Sequence, residues 1–149
     1  MDGRSFSAVV LAGVLTGSEL TSWGIVHPTL WKLEHKQQVH AEKLMYKRFG
    51  SIHPFLMTAT TAACFVAASG LHGSSKTLEF TAGGCYTTML AITLIGNLPI
   101  NLRVLLWDEE PGDPKEWRRL RRGRDRLHNV RIPLDVAGFI LITLAALHA

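Results

Sequence analysis

Four stretches of this chain are almost free of charge: Phe6–Val26, Pro54–Leu71, Phe80–Leu98 and Ile132–Leu147. A helix needs about 17–25 mostly apolar residues to cross a hydrocarbon core. The first three stretches meet that length, and the fourth does so when it begins near Val130. Averages hide this pattern, because 47% hydrophobic and 19% charged residues, with a mean hydropathy of +0.15, look soluble. The spans take up so much of the 149 residues that no separate soluble domain fits beside them. A Rossmann domain, a β-barrel and a secreted disulfide scaffold are excluded. The expected fold is all-α: a polytopic membrane four-helix bundle with cytoplasmic helical extensions, one domain over 1–149. Its spans fall at about 6–26, 54–71, 80–98 and 130–147.

Charge sets the expected orientation. Loops 28–52 and 99–131 share one side and carry fourteen of the sixteen Lys and Arg residues. The opposite side has only Arg4 and Lys76. Lys/Arg excess marks the cytoplasmic face, so both termini are expected to be non-cytoplasmic. A cleaved signal peptide over residues 1–22 is the rival, but Glu19 and the lack of an A-x-A site count against it. Six arginines lie between Arg118 and Arg126. Because the run leads directly into a span, it is expected to meet anionic lipid headgroups rather than nucleic acid.

Small residues suit close packing of the spans. Gly13-x-x-x-Gly17 lies in span 1, and Ala59, Ala63 and Ala67 form a stripe in span 2. An oligomer is compatible with this but not required by it. Cys64 and Cys85 lie inside apolar stretches, form no C-x-x-C, and are expected as packing residues. The turn 72–77 is short, so spans 2 and 3 are antiparallel neighbours. Loop 28–52 reads as polar helix with Leu30, Leu33 and Leu44 as partial apolar contacts. A break is expected at Pro111-Gly112. Asp113-Pro114-Lys115-Glu116 then supplies an N-cap acid, a first-turn proline and a Glu at N3. A helix is predicted to start at Pro114, to run into span 4, and to kink at Pro133. No internal repeat is evident.

Ionisable groups inside spans are costly and suggest function. Glu19 lies deep in span 1, and Asp135 lies one turn into span 4. Asn97 and Asn101 flank Pro99, and His53 opens span 2. His128, Arg131 and Asp135 are spaced i, i+3, i+7, on one helix face. All fall at the cytoplasmic level, which implies an inward-facing polar pocket below an apolar outer half. Simpler roles stand beside this one. Arg131 and Asp135 fit an i,i+4 pair, His27 and His53 fit interfacial positions beside prolines, and the asparagines fit caps at Pro99. His35, His40, His72 and His148 are expected to be solvated. Glu19, His53 and His128 also form a two-histidine, one-carboxylate set suited to iron or copper. No H-x-x-x-H or E-x-x-H within a span supports it.

The pattern Asn97-Leu-Pro-Ile-Asn101, then Trp117, then R-x-x-x-L-H-x-x-R-x-x-x-D ending at Asp135 and leading into the last span resembles a known family. It is the four-span membrane family that contains the anthrone oxygenases of polyketide pathways. The P-T-L after His27 and the G-x-x-x-P of Gly50–Pro54 are also similar to it. The resemblance implies a membrane oxidase that acts on a small lipophilic, anthrone-like substrate. O₂ would be the co-substrate, and no organic cofactor is needed. On this view His128 is the base, Asp135 or Glu19 orients it, and Asn97, Asn101 and Arg131 donate to a developing oxyanion. Trp107, Trp117 and His53 are the expected substrate contacts. The alternatives are a metal-dependent oxygenase and a non-catalytic binding or scaffold protein.

The orientation is open to a direct test. A cysteine placed at Ser74 should react with an impermeant reagent added outside intact cells, and one placed at Gly112 should not. Reversed labelling would overturn both the orientation and the expected side of the pocket.

Overall fold

Low charge over span-length stretches removes the alternative of solvating the backbone, so each stretch must satisfy its own peptide groups as helix. The computed structural model describes residues 2–107 and 113–148, and among these there is no strand. Four helices are long and apolar enough to cross a membrane: α1 Gly3–Leu30, α2 His35–Gly70, α3 Gly73–Leu105 and α4 Pro114–Leu147. At 1.5 Å per residue, a helix of 36 residues is about 54 Å long, well beyond a hydrocarbon core of about 30 Å. The extra length projects at the end holding Trp31–Glu34 and Asp113, the basic end. The break expected at Pro111-Gly112 lies outside the described residues.

The helix boundaries follow local chemistry. Asp2 caps α1 by accepting the Ser5 N–H at 2.9 Å, a bond that holds its carboxyl below the ordinary aspartate value. Asp113 caps α4 through the Lys115 N–H at 2.8 Å, with Pro114 in the first turn, as the sequence predicts. The turn between α2 and α3 is shorter than 72–77. α2 ends at Gly70, and α3 starts at Gly73, whose φ of 60° suits glycine. The segment 74–79 is therefore helix, and Glu79 falls inside the bundle.

Each helix packs on two neighbours. α1 and α3 each contact α2 and α4, so α1 lies diagonal to α3 and α2 diagonal to α4. The apolar half is filled by Ala8, Ala12, Leu15, Met57, Cys64, Ala67, Tyr86, Met89 and Ile142. Both cysteines are free. The buried stripe of α2 runs through Met57, Thr60, Cys64 and Ala67; of the expected Ala59–Ala63–Ala67 line, Ala67 is buried, Ala63 half-buried and Ala59 exposed. At the basic end a second cluster joins Val39, Tyr46, Val104 and Trp117. Leu30 is buried there, whereas Leu33 and Leu44 are exposed.

The prolines divide into two kinds. Pro54 and Pro133 sit inside helices that continue as α-helix on both sides. Pro28 and Pro99 each follow a π-helical segment, Ser22–Val26 and Thr93–Asn97. Proline removes one N–H and crowds the carbonyl four residues back, and a wider turn relieves both. The two halves of the chain thus run in one order: a span with a π-segment before proline, then a long helix through proline.

Close contacts at glycine generate a stability prediction. A Cβ on Gly138 would meet the Tyr86 ring at 2.9 Å in a fully packed seam. Gly138→Ala is expected to cost about 1–3 kcal/mol of unfolding free energy in detergent micelles. Gly84→Ala, where a Cβ meets nothing within 4 Å, should be neutral or slightly stabilising.

Candidate active site

Glu19 is the one acid within span 1, and burying it demands a partner from another helix. Arg131 supplies that partner: its Nη2 donates to Glu19 Oε1. Two histidines complete the group. His128 Nδ1 lies 3.4 Å from Glu19 Oε2, and His53 Nε2 lies 3.7 Å from Oε1. His53 is held by the Ser18 hydroxyl at 3.1 Å and stacks on Phe49 with ring centroids 4.6 Å apart. Ser18 gives its own hydrogen to the Leu15 carbonyl, so His53 Nε2 is the donor to Ser18.

Four residues singled out in the sequence therefore meet at one point: Glu19, His53, His128 and Arg131. They line a cavity of about 250 Å³ whose wall also includes Asn97, Asn101, Arg124, Met57 and Leu94. Small-molecule sites span roughly 300–1,000 Å³, so this volume suits a compact ligand. The side-chain carbonyl oxygens of Asn97 and Asn101, Nε2 of His128 and Nδ1 of His53 are buried without a hydrogen-bond partner. A cavity wall of unpartnered polar groups is a wall that can bind.

Three expectations differ from the observed positions. Asp135 does not pair with Arg131 and does not line the cavity; it accepts the Thr16 hydroxyl at 2.9 Å, one turn deeper. Trp117 and Trp107 do not line the cavity either. Trp117 is buried between the helix extensions, donating to Gln38 Oε1 at 3.0 Å, and Trp107 packs edge-on against it. Both are apolar enough to be drawn into the second core cluster. His35 is half-buried, edge-on to Trp117, rather than solvated.

Sequence reasoning gave His27 only an interfacial role and left Arg121 and Arg124 within the basic run. His27 is buried, with its ring 5.3 Å from that of His128, and its Nδ1 accepts from Arg124 at 3.1 Å. Arginine can only donate, so the His27 ring carries its hydrogen on Nε2. Arg124 also lies 4.4 Å over the Tyr46 ring. The arginine run is thus split by helix phase. Arg121 and Arg124 turn inward, while Arg118, Arg119, Arg122 and Arg126 stay at the surface. Arg121 is matched by Glu42 at 2.5 Å, which in turn accepts the Tyr46 hydroxyl at 2.9 Å. The available signal was the spacing 117, 121, 124, 128, 131, 135, an unbroken alternation of four and three.

The charge balance follows from these pairs. Glu19 neutralises Arg131 and Glu42 neutralises Arg121, whereas no carboxylate among the described residues pairs with Arg124. The cavity carries a surplus positive charge. Such a site favours an anion, and a guanidinium already holds the Glu19 carboxylate that a metal would need. Among the described residues no three His, Cys, Asp or Glu side chains are arranged to hold a metal ion.

A family model described as anthrone oxygenase matches residues 42–141. No curated protein and no solved structure matches the chain.

The Glu19–Arg131 pair can be tested by a double-mutant cycle. Arg131→Met should destabilise by about 3–5 kcal/mol, because it leaves a buried carboxylate uncompensated. Adding Glu19→Gln should recover most of that loss in micelle unfolding experiments. A loss in the double variant equal to the sum of the two single losses would show that the two side chains are not coupled.

Proposed function

The chain belongs to the anthrone oxygenase family, and from that premise we propose that the cavity oxidises a compact aromatic ketone of the anthrone type with O₂. The observation that carries this is the surplus cation Arg124 on a wall that also presents His128, Asn97 and Asn101. A polyketide-derived substrate of secondary metabolism fits this chemistry, being flat, lipophilic and acidic at one carbon.

The reaction needs a base and a site for an oxyanion. His128 takes one proton from the methylene opposite the ketone, and the electron pair moves onto the ketone oxygen as an aromatic anthrolate. Arg124 donates to that oxyanion, and the Nδ2–H groups of Asn97 and Asn101, not their Oδ1 atoms, are the other donors assigned to it. Arg131 holds Glu19 in place, and Glu19 orients the His128 ring through Nδ1. The anthrolate passes one electron to O₂, and the resulting radical and superoxide combine to form a carbon–oxygen bond. His128 returns its proton to the peroxide. Loss of the second methylene proton then breaks the O–O bond and releases water, leaving the quinone. One oxygen atom ends in the new carbonyl and the other in water. Asp135, held by Thr16 outside the cavity, positions the α4 face rather than touching substrate.

The test uses purified protein in nanodiscs, with anthrone and O₂, following oxygen uptake and quinone absorbance. A general base contributes about 10²–10⁴-fold in rate, so His128→Ala should lower turnover by at least that lower bound. His40→Ala, at an exposed position, serves as the control. Activity should survive exhaustive chelation. Chelator-sensitive activity restored by iron or copper would recast His128, His53 and Glu19 as ligands, and near-normal turnover in His128→Ala would sink the base assignment.

A further inference from the structure

Exposure of the cavity's lining divides sharply by helix. The residues contributed by α1 and α4, namely Glu19, Ser22, Arg124, His128 and Arg131, are all buried. The exposed lining residues are Gly50 on α2 and Leu94 and Leu98 on α3. The mouth of the cavity therefore lies between α2 and α3. Its surroundings are apolar: Phe55 and Ile95, each 79% exposed, project from the same two helices as lipid-facing side chains. Lys47 and Arg48, both exposed, stand immediately before Phe49 and Gly50. The mouth thus sits where hydrocarbon meets a positively charged rim, at the basic end of spans 2 and 3.

We propose that this α2–α3 opening is a lateral portal through which a small planar amphiphile enters from the bilayer, polar end first, and that Gly50 sets its width. Electrostatics and geometry agree on the direction. The floor holds Arg124, Arg131 and the two asparagines, whereas Phe49, Pro54, Leu94 and Leu98 form the approach. An anionic or oxygen-bearing end is drawn inward, and the aromatic body stays against the leucines and Phe49. Gly50 is the one lining position with no side chain to narrow the passage. A Cβ there meets nothing within 4 Å, so the backbone does not require glycine for lack of space. The φ at this position is not positive either. Gly in a helix interior is destabilising relative to Ala, a cost that keeping the passage open explains. The choice of ligand rests on the oxidation reading above; the route does not.

The experiment measures binding rather than oxidation, so failure of one reading does not imply failure of the other. Anthracene-9-carboxylate, a fluorescent planar anion, is mixed with the protein in liposomes, and its saturable association rate is followed. Gly50→Trp should slow association at least tenfold, while Gly17→Trp, at an exposed glycine outside the cavity, should leave it unchanged. In anthrone turnover Gly50→Trp should lower kcat/KM with kcat retained. The association rate should track the ligand's mole fraction in the bilayer when lipid content is varied. Wild-type rates in Gly50→Trp, rates that follow aqueous concentration alone, or no saturable binding to the unmodified protein would each overturn the portal. Loss of turnover in His128→Ala with normal association bears only on the chemistry.

Discussion

Burying Glu19 against Arg131 is the constraint on which the basic half of the bundle depends. A carboxylate and a guanidinium taken out of water each lose several kcal/mol of hydration, and only close mutual contact with further hydrogen bonds offsets it. The contact joins α1 to α4, and His53 from α2 and His128 from α4 close around the same carboxylate. Their level in the bundle is thereby fixed, and with it the level of the cavity. α3 contributes no charge to this group; it supplies Asn97 and Asn101, which need no counter-ion. The apolar half has the opposite character, since small residues such as Ala8, Ala12, Ala67 and Ala82 let the helices pack closely.

The π-segments decide which polar residues reach that level. Along α1 the buried seam passes through Ser5, Ala8, Ala12, Leu15, Glu19 and Ser22 in steps of three and four. The next step would reach Val26, but the wide turn adds one residue and the seam arrives at His27, then Leu30. In α3 the seam through Ser75, Glu79, Ala82, Tyr86, Met89 and Thr93 would continue to Gly96, yet it arrives at Asn97 and later Val104. Two prolines thus convert apolar or featureless seam positions into a histidine and an asparagine. π-bulges recur at functional sites for this kind of reason: they re-aim a face without ending the helix.

This explains what could be read from the residues and what could not. Four spans, the Asp113–Pro114 helix start and the polar cluster of Glu19, His53, His128, Arg131, Asn97 and Asn101 follow from charge, length and spacing. The resemblance carried by residues 97–135 is borne out by the family match over 42–141. His27 was beyond reach because an unbroken 3.6-residue period places it off the buried face. Arg124 was lost in a run of arginines where composition suggests a surface, and only the phase of α4 separates it from Arg122 and Arg126. Trp107 and Trp117 were drawn toward the substrate by proximity to the signature, whereas their size and the Gln38 acceptor hold them in the second core cluster. Glu79 lay one residue outside an assumed span.

The two halves of the chain repeat an order of elements but fill it differently, and the site lies in the difference. Gln38 and Glu42 stand sixteen and twelve residues before Pro54, and Trp117 and Arg121 stand at the same distances before Pro133. These equivalent positions pair with each other across the bundle, Gln38 with Trp117 and Glu42 with Arg121, so the frame closes on itself at the basic end. Nearer the prolines the equivalence no longer yields complementary partners. Arg124 corresponds to Met45 and His128 to Phe49. A cation and an imidazole on α4 therefore have apolar equivalents on α2, and neither is ion-paired by its equivalent; Arg124 lies over the Tyr46 ring instead. The α4 side of the cavity is left positively charged, while the α2 side presents Phe49, Pro54 and Met57 beside the His53 ring. That asymmetry matches the proposed amphiphilic ligand, whose polar end and aromatic body need different surroundings.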